Sequence, residues 1–145
     1  MKIQHASVTV HHMLYTCQEK HWGEKRKEEV DRNLHVKGKR TIIRLIKEFS
    51  EKSTKMRVVY DIIPEWLIKI LKQHKGKLIV VTTTRGLDIS GEVKFVDNIR
   101  SKFIVFDDSL VVTFNNGDEE AVIDSCKGCV IQAEEHFELL TSKGE

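Results

Sequence analysis

Residues 77–106 read KLIVVTTTRGLDISGEVKFVDNIRSKFIVF, and the reading of this stretch decides the fold. Leu78-Ile79-Val80-Val81-Thr82-Thr83-Thr84 is dense in β-branched residues, whose stiff χ1 suits a pleated surface better than a helix. Arg85-Gly86 marks a turn. Leu87, Ile89, Gly91, Val93 and Phe95 then alternate with Asp88, Ser90, Glu92 and Lys94, which predicts a strand with one buried and one wet face. Gly91 falls on the apolar side, where a missing side chain admits a sharp bend or a close neighbouring strand. Phe103–Phe106 predicts the next strand.

Toward the C-terminus, Ser109–Phe114 continues the strand pattern, and Asn115-Asn116-Gly117 predicts a hairpin turn because Asn and Gly tolerate positive φ. Ala121–Ser125 and Cys129–Ala133 complete the set, joined through Lys127-Gly128. Several short strands at close spacing, one bent at a glycine, predict a small antiparallel barrel.

Toward the N-terminus the period becomes helical. Pro64 opens a helix that runs through EWLIKILKQH with Trp66, Leu67, Ile70 and Leu71 on one face, and Gly76 stops it. Met56–Tyr60 favours a strand. Ile42, Ile43, Leu45, Ile46 and Phe49 predict another helix, with Thr41 as its N-cap. Residues 24–40 read as a polar helix breaking near Gly38 or as a flexible basic linker. Ala6–Val10 alternates briefly, as a short strand would. The expected organisation is α+β: a basic, partly helical N-terminal extension over 1–63, a barrel with its leading helix over 64–135, and a C-terminal tail over 136–145.

Composition narrows the class. The 145 residues are 40% hydrophobic and 32% charged, enough for a core without metal or disulfide staples. No apolar run approaches the roughly 18 residues of a membrane span, and MKIQHASVTVHH lacks the apolar stretch of a signal peptide. Three cysteines fit a reducing compartment. The expectation is a cytoplasmic protein, with the nucleus also open, and no membrane partner. Residues 1–77 hold 18 Lys/Arg against 9 Asp/Glu, whereas 78–145 hold 6 against 13. A basic half followed by an acidic one implies separate electrostatic roles or mutual attraction between the halves.

The second half resembles the Sm-like (Lsm) family over residues 64–135. The similarity lies in a helix feeding the strands, then in Arg85-Gly86, Leu87–Gly91, Val93–Asp97 and Phe103–Asp108, and in Cys126-Lys127-Gly128-Cys129-Val130-Ile131 before a last strand. The resemblance implies a strongly bent five-stranded barrel, an RNA-reading loop over Asp97–Lys102, and rings closed by pairing of edge strands. Ser101 or Lys102 stands where that family's base-reading asparagine would fall, with Asn98 earlier, and Lys127 replaces the usual arginine. The implied RNA contacts are Asp97, Asn98, Arg100, Lys102, Lys127 and Gly128. The implied oligomer edge is Ala121, Val122, Ile123, Val130 and Ile131.

Independently of the resemblance, Lys37-Gly38-Lys39-Arg40 and Lys75-Gly76-Lys77 set cations beside glycines whose backbone can also meet phosphates. Lys37, Lys39, Arg40, Lys75 and Lys77 therefore join the RNA-binding candidates. Cys126 and Cys129 have zinc-ligand spacing, with Cys17 and His21 as distant partners. The coincidence of this CxxC with a strand-turn-strand explains it without metal. No phosphate-cradling glycine loop, nucleophile elbow or HExxH motif is present. The sequence thus predicts a non-enzymatic protein without cofactor that binds RNA or assembles an RNA–protein complex. A protein-interaction adaptor using the barrel edges, with no RNA role, is the alternative. The two separate on salt dependence of RNA binding.

Overall fold

The computed structural model describes residues 33–143. Along this span the elements are β1 (Asn33–Lys37), α1 (Lys39–Lys52), β2 (Lys55–Val59), α2 (Glu65–Gln73), β3 (Lys77–Thr82), β4 (Glu92–Phe95), β5 (Lys102–Phe106), β6 (Leu110–Asn115), β7 (Glu120–Asp124) and α3 (Lys127–Lys143). The strands form one open sheet in the order β1-β7-β6-β5-β2-β3-β4. β2, β3 and β4 are mutually parallel, and every other neighbouring pair is antiparallel.

The expected five-stranded antiparallel barrel is overturned by this topology. A barrel needs its last strand to close on its first, and here residues 127–143, which were to supply that last strand, are helical. Parallel neighbours also demand a crossover rather than a hairpin, and α2 provides it between β2 and β3. The sheet draws strands from both sides of residue 64, and the strand expected at Met56–Tyr60 is a central one. The short strand expected at Ala6–Val10 lies outside the described residues.

Each face of the sheet has its own core. On one, Ile42, Leu45, Ile46 and Phe49 of α1 and Leu67, Ile70 and Leu71 of α2 pack on Met56, Val58, Val80, Ile104 and Val112. On the other, Val130 and Phe137 of α3 cover Val59, Val81, Phe103, Val105 and Val111. Central strands buried on both faces read as continuous apolar runs, as Phe103–Phe106 does. Each buried side chain of this size contributes roughly 1.5–3 kcal/mol relative to exposure.

Local deviations have local causes. α1 begins at Lys39 rather than after Thr41, because Gly38 at φ 103° turns the chain out of β1 and donates its amide to the Glu119 carbonyl at 2.8 Å. The long strand expected over Leu87–Phe95 is paired only from Glu92 onward. Leu87 and Ile89 instead lie in an irregular crossover and pack, half-buried, on the α1–α2 core. The close approach expected at Gly91 is present, since a Cβ there would stand 2.9 Å from the Leu78 carbonyl oxygen. The hairpin at Asn116-Gly117 holds both residues at positive φ, 54° and 71°.

Candidate functional site

β1, β2, β3, β4 and β6 all end at one rim of the sheet, and β5 and β7 begin there. This carboxyl rim also receives the N-termini of α1 and α2, which follow β1 and β2 directly. Open parallel sheets bind ligands at the carboxyl ends of their strands, because loops and helix N-termini converge there.

On the α1–α2 face the rim is built around Lys102, the first residue of β5. Its ammonium lies 3.7 Å from Asp61 Oδ1 and 5.5 Å from the centre of the Tyr60 ring. Asp61 follows β2, and its carbonyl accepts hydrogen bonds from the hydroxyls of Thr82, Thr83 and Thr84 at 2.8, 3.0 and 2.8 Å. The threonine run at the end of β3 thereby pins the β2–α2 turn and fixes where the Asp61 carboxylate stands. Burial, reinforced by the carboxylates of Asp118 and Asp61, pushes the Tyr60 hydroxyl up to about 12. The phenol is therefore a hydrogen-bonding group at neutral pH, not an anion.

Asp118, in the β6–β7 hairpin, accepts from Trp66 Nε1 at 2.9 Å and lies 3.8 Å from Lys39 Nζ. It ties the first turns of α1 and α2 to the sheet. The first turn of α1 contains no acidic residue and no side-chain cap, and it carries Lys39 and Arg40. Its free amides and cations point the same way electrostatically, toward an anion.

On the α3 face of the same rim, the β4–β5 loop and the end of α3 enclose a pocket of about 480 Å³. Phe95, Asp97, Asn98 and Arg100 line it from the loop, and His136, Leu140 and Lys143 from the helix. The His136 ring meets Phe103 edge to face, with centroids 5.5 Å apart.

The fold brings together most of the RNA-binding candidates singled out in the sequence. Lys37, Lys39, Arg40, Asp97, Asn98, Arg100 and Lys102 all stand at the carboxyl rim. Lys75, Lys77, Lys127 and Gly128 stand at the opposite rim, where β3 and α3 begin. Ala121, Val122 and Ile123 lie in β7, which is paired on both sides with β1 and β6 and so offers no free edge. Val130 and Ile131 belong to α3, not to a strand. Among the described residues no group of three metal-ligating side chains occurs. Cys126 and Cys129 are thiols at the start of α3, whereas Cys17 and His21 lie outside the described residues. Tyr60, Asp61, His136 and Lys143 were not singled out for function, and Trp66 was read only as part of the apolar face of its helix. The one available signal was Asp61 and Thr82-Thr83-Thr84, polar residues immediately after apolar strands.

No family model and no curated relative matches this sequence. Solved structures do. NucT from Helicobacter pylori superposes with a TM-score of 0.64 at 8% identity, covering 77% of this chain and 96% of its own. Nuc from Salmonella typhimurium, a phospholipase D family member, gives 0.60 at 17% identity, covering 78% and 97%. TrmBL2, an archaeal chromatin protein with a novel mode of DNA binding, gives 0.57 at 16%, covering 80% of this chain and 54% of its own. The fold is the one these proteins share.

That finding corrects the Sm-like resemblance, whose glycine spacing matched a barrel that does not form. The expected Sm-like RNA binder and its edge-strand adaptor alternative depended on that barrel, whereas the expected absence of enzymatic activity was read from missing catalytic motifs. All three expectations are overturned, since the neighbours that replace the Sm-like family include a phospholipase D family member. Among the described residues no helix is long and apolar enough to cross a membrane.

Proposed function

We propose that this chain engages the phosphodiester backbone of nucleic acid at the carboxyl rim, on a scaffold of the phospholipase D nuclease type. The observation that carries the reading is the convergence at that rim of Lys102, Lys39 and Arg40 with the uncapped N-terminus of α1. Lys102 and Lys39 are held by carboxylates at 3.7 and 3.8 Å in partly exposed pairs. Such pairs contribute only about 0–1 kcal/mol, so a phosphate oxygen can take the carboxylate's place at small cost. Arg100 and Lys143 extend the cationic track over the rim to the α3 face. Membership of one neighbour, Nuc, in the phospholipase D family and the DNA binding of another, the chromatin protein TrmBL2, support the same ligand class.

For chemistry on the phosphodiester, Lys102 would stabilise charge on a phosphoryl oxygen, and the Asp61 carboxylate beside it would accept a proton. Of the described histidines, His35 and His136 lie on the α3 face and His74 lies at the opposite rim. A nucleophile at Lys102 would thus come from another group or from water.

The test is one titration with two readouts. A fluorescein-labelled 20-nucleotide strand of DNA or RNA, or its duplex, is titrated with protein for anisotropy, and the same mixtures are run on a denaturing gel. Binding that weakens steeply with salt and at least fivefold in Lys102→Gln is expected. Shortened strands absent from the Lys102→Gln lane would assign hydrolysis to this rim. Salt-insensitive binding, or none to any of these nucleic acids, would refute the proposal.

A further inference from the structure

At the opposite rim, α1 and α2 end side by side over a cavity of about 710 Å³, in the range of small-molecule sites. Its wall carries Lys47, Lys72 and Lys75 against a single carboxylate, Glu51. The floor is more specific. His74 Nδ1 lies 3.2 Å from the carbonyl oxygen and 3.4 Å from the hydroxyl oxygen of the buried Ser50, and the closer, carbonyl contact is a hydrogen bond when Nδ1 carries the proton. Nε2 of the neutral ring is then a lone-pair acceptor, closed off from solvent and without a hydrogen-bond partner. An unpaired buried acceptor is costly to a fold.

The helix ends add a second kind of demand. The last turns of α1 and α2 carry partial negative charge, although the carbonyls of Ser50 and Leu71 already accept from Ser53 Oγ and from the His74 amide at 3.4 and 3.3 Å. The cavity therefore offers ammonium groups to an anion, and acceptors to hydroxyl donors. A bare inorganic anion satisfies the first and is repelled by the second. A neutral polyol satisfies the second and leaves the lysines unused.

We propose that the cavity between the C-terminal ends of α1 and α2 binds a small hydroxylated phosphate monoester. Lys47, Lys72 and Lys75 take the phosphate, Ile70 backs the carbon skeleton, and a hydroxyl donates to His74 Nε2 as the ligand opens that edge of the ring. This site is separate from the carboxyl rim and does not depend on nucleic-acid binding there.

Ribose 5-phosphate, ribose and inorganic phosphate, each titrated calorimetrically into the full chain, test the idea. Ribose 5-phosphate should bind saturably with one site, at least tenfold more tightly than inorganic phosphate, while ribose gives no saturable heat. The double substitution Lys72→Gln/Lys75→Gln, on exposed side chains, should keep the melting temperature and weaken binding at least tenfold. Saturation should shift the His74 Nε2 resonance in a ¹⁵N spectrum of the imidazoles. The proposal is overturned by absence of saturable binding, by equal affinity for inorganic phosphate, by indifference to the double substitution, or by an unmoved His74 resonance.

Discussion

Tyr60 shows how one buried hydroxyl sets a pH limit. Its ordinary value of 10 rises to about 12 in the folded chain because burial and two carboxylates oppose the phenolate. A group whose folded value is raised stabilises the fold fully below its unfolded value, and the contribution is lost as pH climbs between the two. Stability should therefore fall from pH 10 toward 12. The urea-unfolding free energy of the wild type should drop, relative to Tyr60→Phe, by about 2 kcal/mol between pH 9 and 11.5. Equal drops in both proteins would show that the phenol is not held in this environment. At the same scale, a Cβ on Gly76 would lie 2.1 Å from the Thr54 carbonyl oxygen, where β2 and β3 begin. Gly76→Ala should lower stability by about 2 kcal/mol or more, measured by denaturant melts, because backbone has to move. The sequence marked Gly76 as a helix stop and as a glycine between two cations. Its close approach to Thr54 depends on β2 and β3 being parallel neighbours, which no local pattern discloses.

Among the elements, α3 is the instructive one. Cys129–Ala133 reads as a strand when the window stops there, since Cys-Val-Ile is β-favouring. Continued to residue 140, the buried positions Val130, Ala133, Phe137 and Leu140 keep a helical three-and-four spacing. The helix was legible, and the barrel expectation cut the window short. Phe137 is 2% exposed in the α3-side core, so Phe137→Ala should cost about 3–5 kcal/mol by thermal or urea unfolding. Ile131, 42% exposed on the same helix, should tolerate alanine within about 0.5 kcal/mol. Comparable losses at both positions would point to a strand-like environment. The Asp107 carboxylate makes a similar element-level link, accepting from the Thr54 amide and hydroxyl and the Lys55 amide at 2.9, 3.0 and 2.8 Å. It fastens the β5–β6 turn to the start of β2. Asp107→Ala should lower stability by about 1–3 kcal/mol, read from the denaturant midpoint.

For the whole molecule, what the sequence disclosed were faces and turns, and what it withheld was partnership. Strands β2, β3, β5, β6 and β7 were placed within a residue or two, as was α2, whereas α1 starts three residues before the expected position. Pairing order was not readable, because β1 reaches β7 and β2 reaches β5 across contacts distant in the chain. The cations at Lys37–Arg40 and Arg100–Lys102 were visible as residues. Their meeting at one rim, and the exile of Lys75, Lys77 and Lys127 to the other, follow only from topology. The charge division read along the chain does not map onto the rims, since Lys39 pairs with Asp118 of the acidic half.

That geography gives the central claim its most direct test. Two variants are compared with the wild type for binding a labelled oligonucleotide across a salt series. One removes rim cations (Lys39→Gln, Arg40→Gln, Lys102→Gln) and the other removes cations from the far end (Lys75→Gln, Lys77→Gln). The carboxyl-rim variant should lose more than tenfold in affinity and flatten the logarithmic salt slope by about 0.7–0.9 for each phosphate contact removed, while the far-end variant keeps both. Equal loss in the two variants, or loss only in the far-end one, would contradict the assignment of the carboxyl rim.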